Sequence, residues 1–216
     1  METGVTEAAT RGWEPISANF LLPEWVRSHW PKYVEGRARA GKVASPAEWR
    51  VAKSIFVCDD EATARRYGKS AEGPYHFYFR QLVRKLVGFG GRSNLFKSDQ
   101  GIPDSVITPD YVTDKLVIAG TPESVVDQIL AFREQVGDFG TLVYACHDWM
   151  DPALAKRSMA LFANDAKGEE IFDIWQSVIM RTANTVNRSW NDEGTICEEA
   201  LRIFEETLQA ILYMPL

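Results

Sequence analysis

Residues 115–149, KLVIAGTPESVVDQILAFREQVGDFGTLVYACHDW, decide the fold. Leu116, Val117, Ile118 and Ala119 form a short apolar run, the pattern of a strand covered on both faces. Gly120-Thr121-Pro122-Glu123 ends that run and opens a helix. Thr121 is the expected N-cap, and Pro122 suits the first helical position, where an N–H would go unused. Glu123 answers the positive end of the helix. Val125, Ile129 and Phe132, with Val126 and Leu130 beside them, recur at helical spacing. Gly137 and Gly140 turn the chain, and Thr141 to Ala145 make a second buried strand. A strand–helix–strand unit of this kind joins parallel strands, so the prediction is an α/β fold with a parallel sheet.

Composition bounds what such a fold does here. The chain has 216 residues, enough for one large domain or one with an appendage. Apolar residues are 45% and charged residues 25%, as in ordinary globular proteins. A net charge of −6 argues against a nucleic-acid binder, which presents a basic face. No apolar run reaches the roughly 20 residues that span a bilayer, and the first fifteen residues lack a secretory pattern. The expectation is a cytoplasmic protein without membrane or nucleic-acid partners. Cys58, Cys146 and Cys197 are odd in number and scattered, which fits reduced, buried thiols.

Outward from the central stretch, further elements follow the same signals. Residues 5–11 read as the tail of a helix ended by Gly12, which implies a segment before it. Residues 13–18 (WEPISA) read as a short strand. Pro23 opens a helix that runs to Gly41, with Pro31 as a kink point. His29 lies among Trp25, Trp30 and Tyr33 there, so a packed aromatic stripe is the simpler account than a ligand or base. Residues 49–58 (WRVAKSIFVC) make a strand rich in β-branched and aromatic residues. Asp59, Asp60 and Glu61 follow it. They admit a metal site, but capping the next helix is the cheaper explanation. Residues 73–87 are a helix carrying Tyr75, Phe77, Tyr78 and Phe79. A long irregular segment follows, of the kind that forms lids or binding loops. Its GFGGR sequence comes after a helix, not a strand, so the dinucleotide-binding context is missing. Thr108-Pro109 opens a short helix, and Asp151-Pro152 another. His147 and Asp148 have the residue types of an acid–base pair, but sequence neighbours on a strand point apart.

The order WEPISANFL, WRVAKSIFV, GPYHFYFRQL, LVIAGTPESVVDQILAFRE and FGTLVYACHDWMDPALAKRSMALFA resembles the bacterial luciferase-like flavin-dependent monooxygenases, in particular their limonene-monooxygenase-like branch. The resemblance covers roughly residues 8–165. It implies a (β/α)8 TIM barrel, of which about four parallel strands fall here: near 13–18, 49–58, 116–119 and 140–146. It thus matches the C-terminal half of the family, and a half sheet leaves edge strands to be covered. The domain reading is a partial barrel over 1–167 and a helical hairpin over 168–216. In the hairpin, Ile171, Trp175 and Val178 form one apolar face, Thr195 to Glu198 a capping box, and Leu201, Phe204 and Leu208 a second face.

By the same resemblance, the chain is an FMN-dependent monooxygenase that oxidises a small organic substrate with O2. Reduced flavin comes from a separate reductase, and barrel completion, for instance in a homo-oligomer, is needed. Deazaflavin F420 is the alternative cofactor, and a truncated, inactive binding or assembly module the alternative function. Barrel sites lie at the C-terminal ends of strands. That rim places Ser17 and Asn19 at a flavin edge, Gly120 and Thr121 as backbone donors to an anionic group, and His147 as the catalytic or substrate-pocket group.

Overall fold

The computed structural model describes residues 4–147 and 150–164. The expected helical hairpin over 168–216, its boundary at 167, Asp148 and Cys197 lie outside these residues. In chain order the elements are α1 (Gly4–Thr10), β1 (Ile16–Ser17), α2 (Pro23–Arg27), α3 (His29–Arg39), β2 (Arg50–Val57), α4 (Glu61–Gly68), α5 (Pro74–Val83), α6 (Pro109–Leu116), β3 (Val117–Gly120), α7 (Pro122–Val136), β4 (Thr141–Ala145) and α8 (Pro152–Asn164). A π-helical turn, Arg84–Phe89, extends α5, and 3-10 turns occupy Pro46–Glu48, Ser93–Phe96 and Asp104–Val106. No helix among the described residues is long and apolar enough to cross a membrane.

Helix starts follow side-chain chemistry. Asp60, Thr108 and Thr121 each accept from the backbone N–H three residues on, at the heads of α4, α6 and α7. The single helix expected over 23–41 is two helices, broken at Ser28. Pro31 has no N–H to give the Arg27 carbonyl. The Ser28 hydroxyl meanwhile donates to the Trp25 carbonyl at 2.7 Å. Beyond the break, Trp30 packs on Tyr33 and Trp49, with ring centroids 5.8 and 5.4 Å apart.

The four strands form one parallel sheet, the α/β architecture of a partial (β/α) barrel. Its order is not sequential. Arg50 pairs with both Ile16 and Thr141, and Ser54 with both Val117 and Ala145. A strand has two edges, so β4 occupies one edge of β2 while β1 and β3 share the other. The two strands of the central unit are therefore not neighbours, because β2 lies between them.

Alternation along β2 builds two cores. Val51, Ile55 and Val57 pack with Val125, Ile129 and Phe132 of α7 and with Leu161 and Phe162 of α8. Phe56 and Cys58 pack with Ala64 of α4, Tyr75 and Phe79 of α5, and Val112 of α6. Side chains two apart share a face and neighbours do not, so each core takes every second residue of the strand.

Candidate active site

Asn19 and His147 each sit two residues past the end of a strand, β1 and β4 respectively. Ser54 lies within β2 and is fully buried. These three side chains meet. The Asn19 amide Nδ2 is 2.9 Å from Ser54 Oγ and 3.2 Å from His147 Nε2, and Ser54 Oγ is 2.9 Å from His147 Nε2. Tyr78 OH donates to Asn19 Oδ1 at 3.5 Å. An amide nitrogen can only donate, so His147 Nε2 is an acceptor and the ring proton sits on Nδ1. Ser54 donates to the same nitrogen and accepts from Asn19. The polar groups of this quartet thus bond one another, with the Nδ1–H of His147 left outside the network.

Aromatic rings enclose it. Tyr78 stacks on the His147 imidazole with centroids 4.0 Å apart and planes at 16°. Tyr75 and Phe79 meet the same ring edge-on at 5.2 and 6.3 Å. Burial in this apolar surround lowers the His147 pKa from 6.5 to about 4, so the ring is neutral at neutral pH. The same burial raises the pKa of Tyr78 above 10.0. The arrangement positions neutral donors and acceptors. Among the described residues it holds no ionised group that would act as a strong acid or base.

The other residues expected at the rim have different partners. Ser17 is buried and its Oγ is 2.9 Å from His29 Nδ1. Burial first, and then nearby Lys32, lowers the pKa of His29. Gly120 and Thr121 form a separate group. The Thr121 amide donates to Glu61 Oε1 at 3.1 Å, and Thr121 Oγ1 accepts from Ser124 N at 3.4 Å. A Cβ at Gly120 would fall 2.5 Å from Ser124 Oγ and 3.0 Å from Glu61 Oε1, so the close approach needs glycine. The acids after β2 divide their work: Asp59 pairs with Arg157, Asp60 caps α4, and Glu61 takes the head of α7.

Two members of the quartet were not expected from the sequence. Ser54 carried a signal, because it and Lys53 are polar residues inside a strand otherwise read as buried. Tyr78 carried none that separates it from the core aromatics of α5.

No family model matches the chain. It is similar to 3,6-diketocamphane 1,6-monooxygenase of Pseudomonas putida, 26% identical over 159 residues that make up 73% of this chain and 41% of that protein. It is also similar to limonene 1,2-monooxygenase of Rhodococcus erythropolis, 26% identical over 65% of this chain and 33% of that one. Among solved structures it matches the oxygenating constituent of 3,6-diketocamphane monooxygenase, a type II Baeyer-Villiger monooxygenase in complex with FMN. That match has a TM-score of 0.65 and 27% identity, covering 75% of this chain and 44% of the other. The chain thus spans about two-fifths of the length of the relatives it matches.

Proposed function

We infer that this chain, whose homologues are luciferase-like monooxygenases, forms the C-terminal part of such an enzyme, and that the Asn19–Ser54–Tyr78–His147 quartet is one wall of its flavin and substrate pocket. One observation carries the reading: a buried network of neutral polar groups whose outer members, Asn19 and His147, follow the C-terminal ends of β1 and β4. Barrel enzymes keep their chemistry at that end.

FMN fits this wall in part. Asn19, Tyr78 and the Nδ1–H of His147 are donors and acceptors of the kind that a flavin ring edge takes, and they are set among aromatic faces. The phosphate has no comparable place at Gly120-Thr121, since the Glu61 carboxylate already accepts from the Thr121 amide. We therefore assign the ring edge to this chain, and the phosphate and remaining wall to the part of the barrel that its relatives have beyond it. Bound FMN, once reduced, supplies the electrons with which O2 oxidises a small organic substrate. A separate flavin reductase would reduce it. The residues here position and shield: His147 holds Asn19 and Ser54 in register, and Tyr75, Tyr78 and Phe79 keep water away.

The test is a fluorescence titration of FMN with the chain, alone and with the segment that completes the barrel. We expect saturable quenching that Asn19→Leu weakens, and oxidation of a cyclic ketone only when the barrel is complete. An absence of quenching in both forms would overturn the reading and leave a non-catalytic binding or assembly module.

A further inference from the structure

β1 pairs with Arg50 and Val51, and β3 pairs with Ser54 to Val57, on the same edge of β2. Ala52 and Lys53 between them have no strand partner on that edge among the described residues. A cavity of about 320 Å³ opens at this notch, walled by Lys53, Val117, Ile118, Phe132 and the start of α2 at Leu22 to Glu24. Lys53 and Ser54 are adjacent in a strand, so their side chains leave on opposite faces, and the Lys53 side chain lies across the sheet from the quartet.

Two charged groups in this cavity lack counterparts. Lys53 is only 3% exposed, and its ammonium has neither a carboxylate nor a hydrogen-bond partner among the described residues. Its Nζ stands over the Phe132 ring, 4.7 Å from the centroid. Glu24 Oε1 is buried, lines the same cavity and has no hydrogen-bond partner among the described residues. The two do not pair with each other. The other lysines on the cavity wall differ: Lys69 pairs with Asp114, and Lys115 is exposed to solvent. A buried ammonium is costly without a partner, as is the single oxygen of the half-buried Glu24 carboxylate that is closed off from solvent. One ligand bearing an anion at one end and a donor at the other would relieve both.

We propose that this notch binds a small organic carboxylate that also carries a hydrogen-bond donor, with Lys53 taking the carboxylate and Glu24 the donor. Val117, Ile118 and Phe132 cover the short carbon body between the two groups. The site is independent of the flavin reading, because it shares no residue with the quartet.

The proposal is tested by NMR on the whole chain labelled with ¹³C at lysine Cε, titrated with butyrate, 3-hydroxybutyrate and butylamine. Butyrate should move one lysine resonance saturably, and Lys53→Met should remove both that resonance and the binding. 3-Hydroxybutyrate should bind about tenfold tighter, as a hydrogen bond to a charged acceptor allows. Glu24→Leu should erase that preference while leaving butyrate binding in place. Butylamine should not bind. Circular dichroism verifies that each variant is folded, and the wild-type titration stands without them. A resonance that never saturates, or butyrate binding that survives in Lys53→Met, overturns the site. A hydroxyl preference that survives in Glu24→Leu overturns the role of Glu24.

Discussion

Replacing Lys53 with Met should stabilise the protein, and the gain should disappear at high pH. Burial lowers the Lys53 pKa from 10.5 to about 8. At about 1.4 kcal/mol per pH unit, that gap corresponds to about 3 kcal/mol held against the charged form in the folded state. The ammonium recovers part of this over the Phe132 ring, a contact that contributes about 1 kcal/mol. Met keeps an unbranched apolar stem of similar reach and brings no charge. The net expectation at pH 7 is a gain of about 2 kcal/mol for Lys53→Met. The sign across pH follows from proton uptake. Between pH 8 and 10.5 the unfolded chain binds the proton that the folded chain has released, so wild-type stability rises through that window. Lys53→Met has no such rise. In urea, with a slope of about 2 kcal/mol per molar, its midpoint should lie about 1 M above wild type at pH 7. By pH 10.5 the two midpoints should converge. A variant less stable at pH 7, or an equal gain at both pH values, would refute an unpaired buried charge at this position.

Three further outcomes follow from named contacts. His147 carries its lowered pKa, about 4, against 6.5 in the unfolded chain, so its contribution is full above pH 6.5 and is lost as pH falls toward 4. Urea midpoints should record a loss of about 3 kcal/mol across that window in wild type, and a shallower fall in His147→Gln. Ser158 is fully buried; its Oγ accepts from Val57 N at 2.8 Å and bonds Tyr144 OH at 2.8 Å. Ser158→Ala should therefore cost about 1–3 kcal/mol in thermal or urea unfolding by stranding a buried N–H, more than Tyr144→Phe. At Gly140 a Cβ would run into the Ala47 carbonyl, which is backbone and has no rotamer to escape by. Gly140→Ala should lose about 3 kcal/mol, or fail to accumulate as folded protein, while Gly88→Ala, which meets nothing within 4 Å, should not.

What the sequence made legible was local. Thr121, Thr108 and Asp60 are caps because a short oxygen-bearing side chain precedes a helical run, and all three accept the expected N–H. The parallel strands were readable from apolar runs between such caps. The strand expected over 13–18 shrinks to Ile16–Ser17, since only those two residues find partners on β2. At the candidate site, Asn19 and His147 were legible by position, just past strand ends. The company each residue keeps was not. Glu61 reaches Thr121 across sixty residues of chain, and no local signal records that contact. Lys53 and Ser54 show why pattern reading stops short. Two polar residues in a row inside β2 announce that each face of the strand is broken once, but not by what.

The order of the strands accounts for both breaks. From β2 the chain crosses through α4, α5 and α6 to β3 on one edge, then returns through α7 to β4 on the other. Crossovers between parallel strands keep one hand, so reversing direction moves the helix to the opposite face. The two cores record that move, with α4 on the face of Phe56 and α7 on the face of Ile55. In a sequential barrel one face of β2 would meet helices and the other would line the interior. Here Ser54, which an interior would hold, meets the aromatic rows of α5 instead, and the quartet closes on itself beneath them.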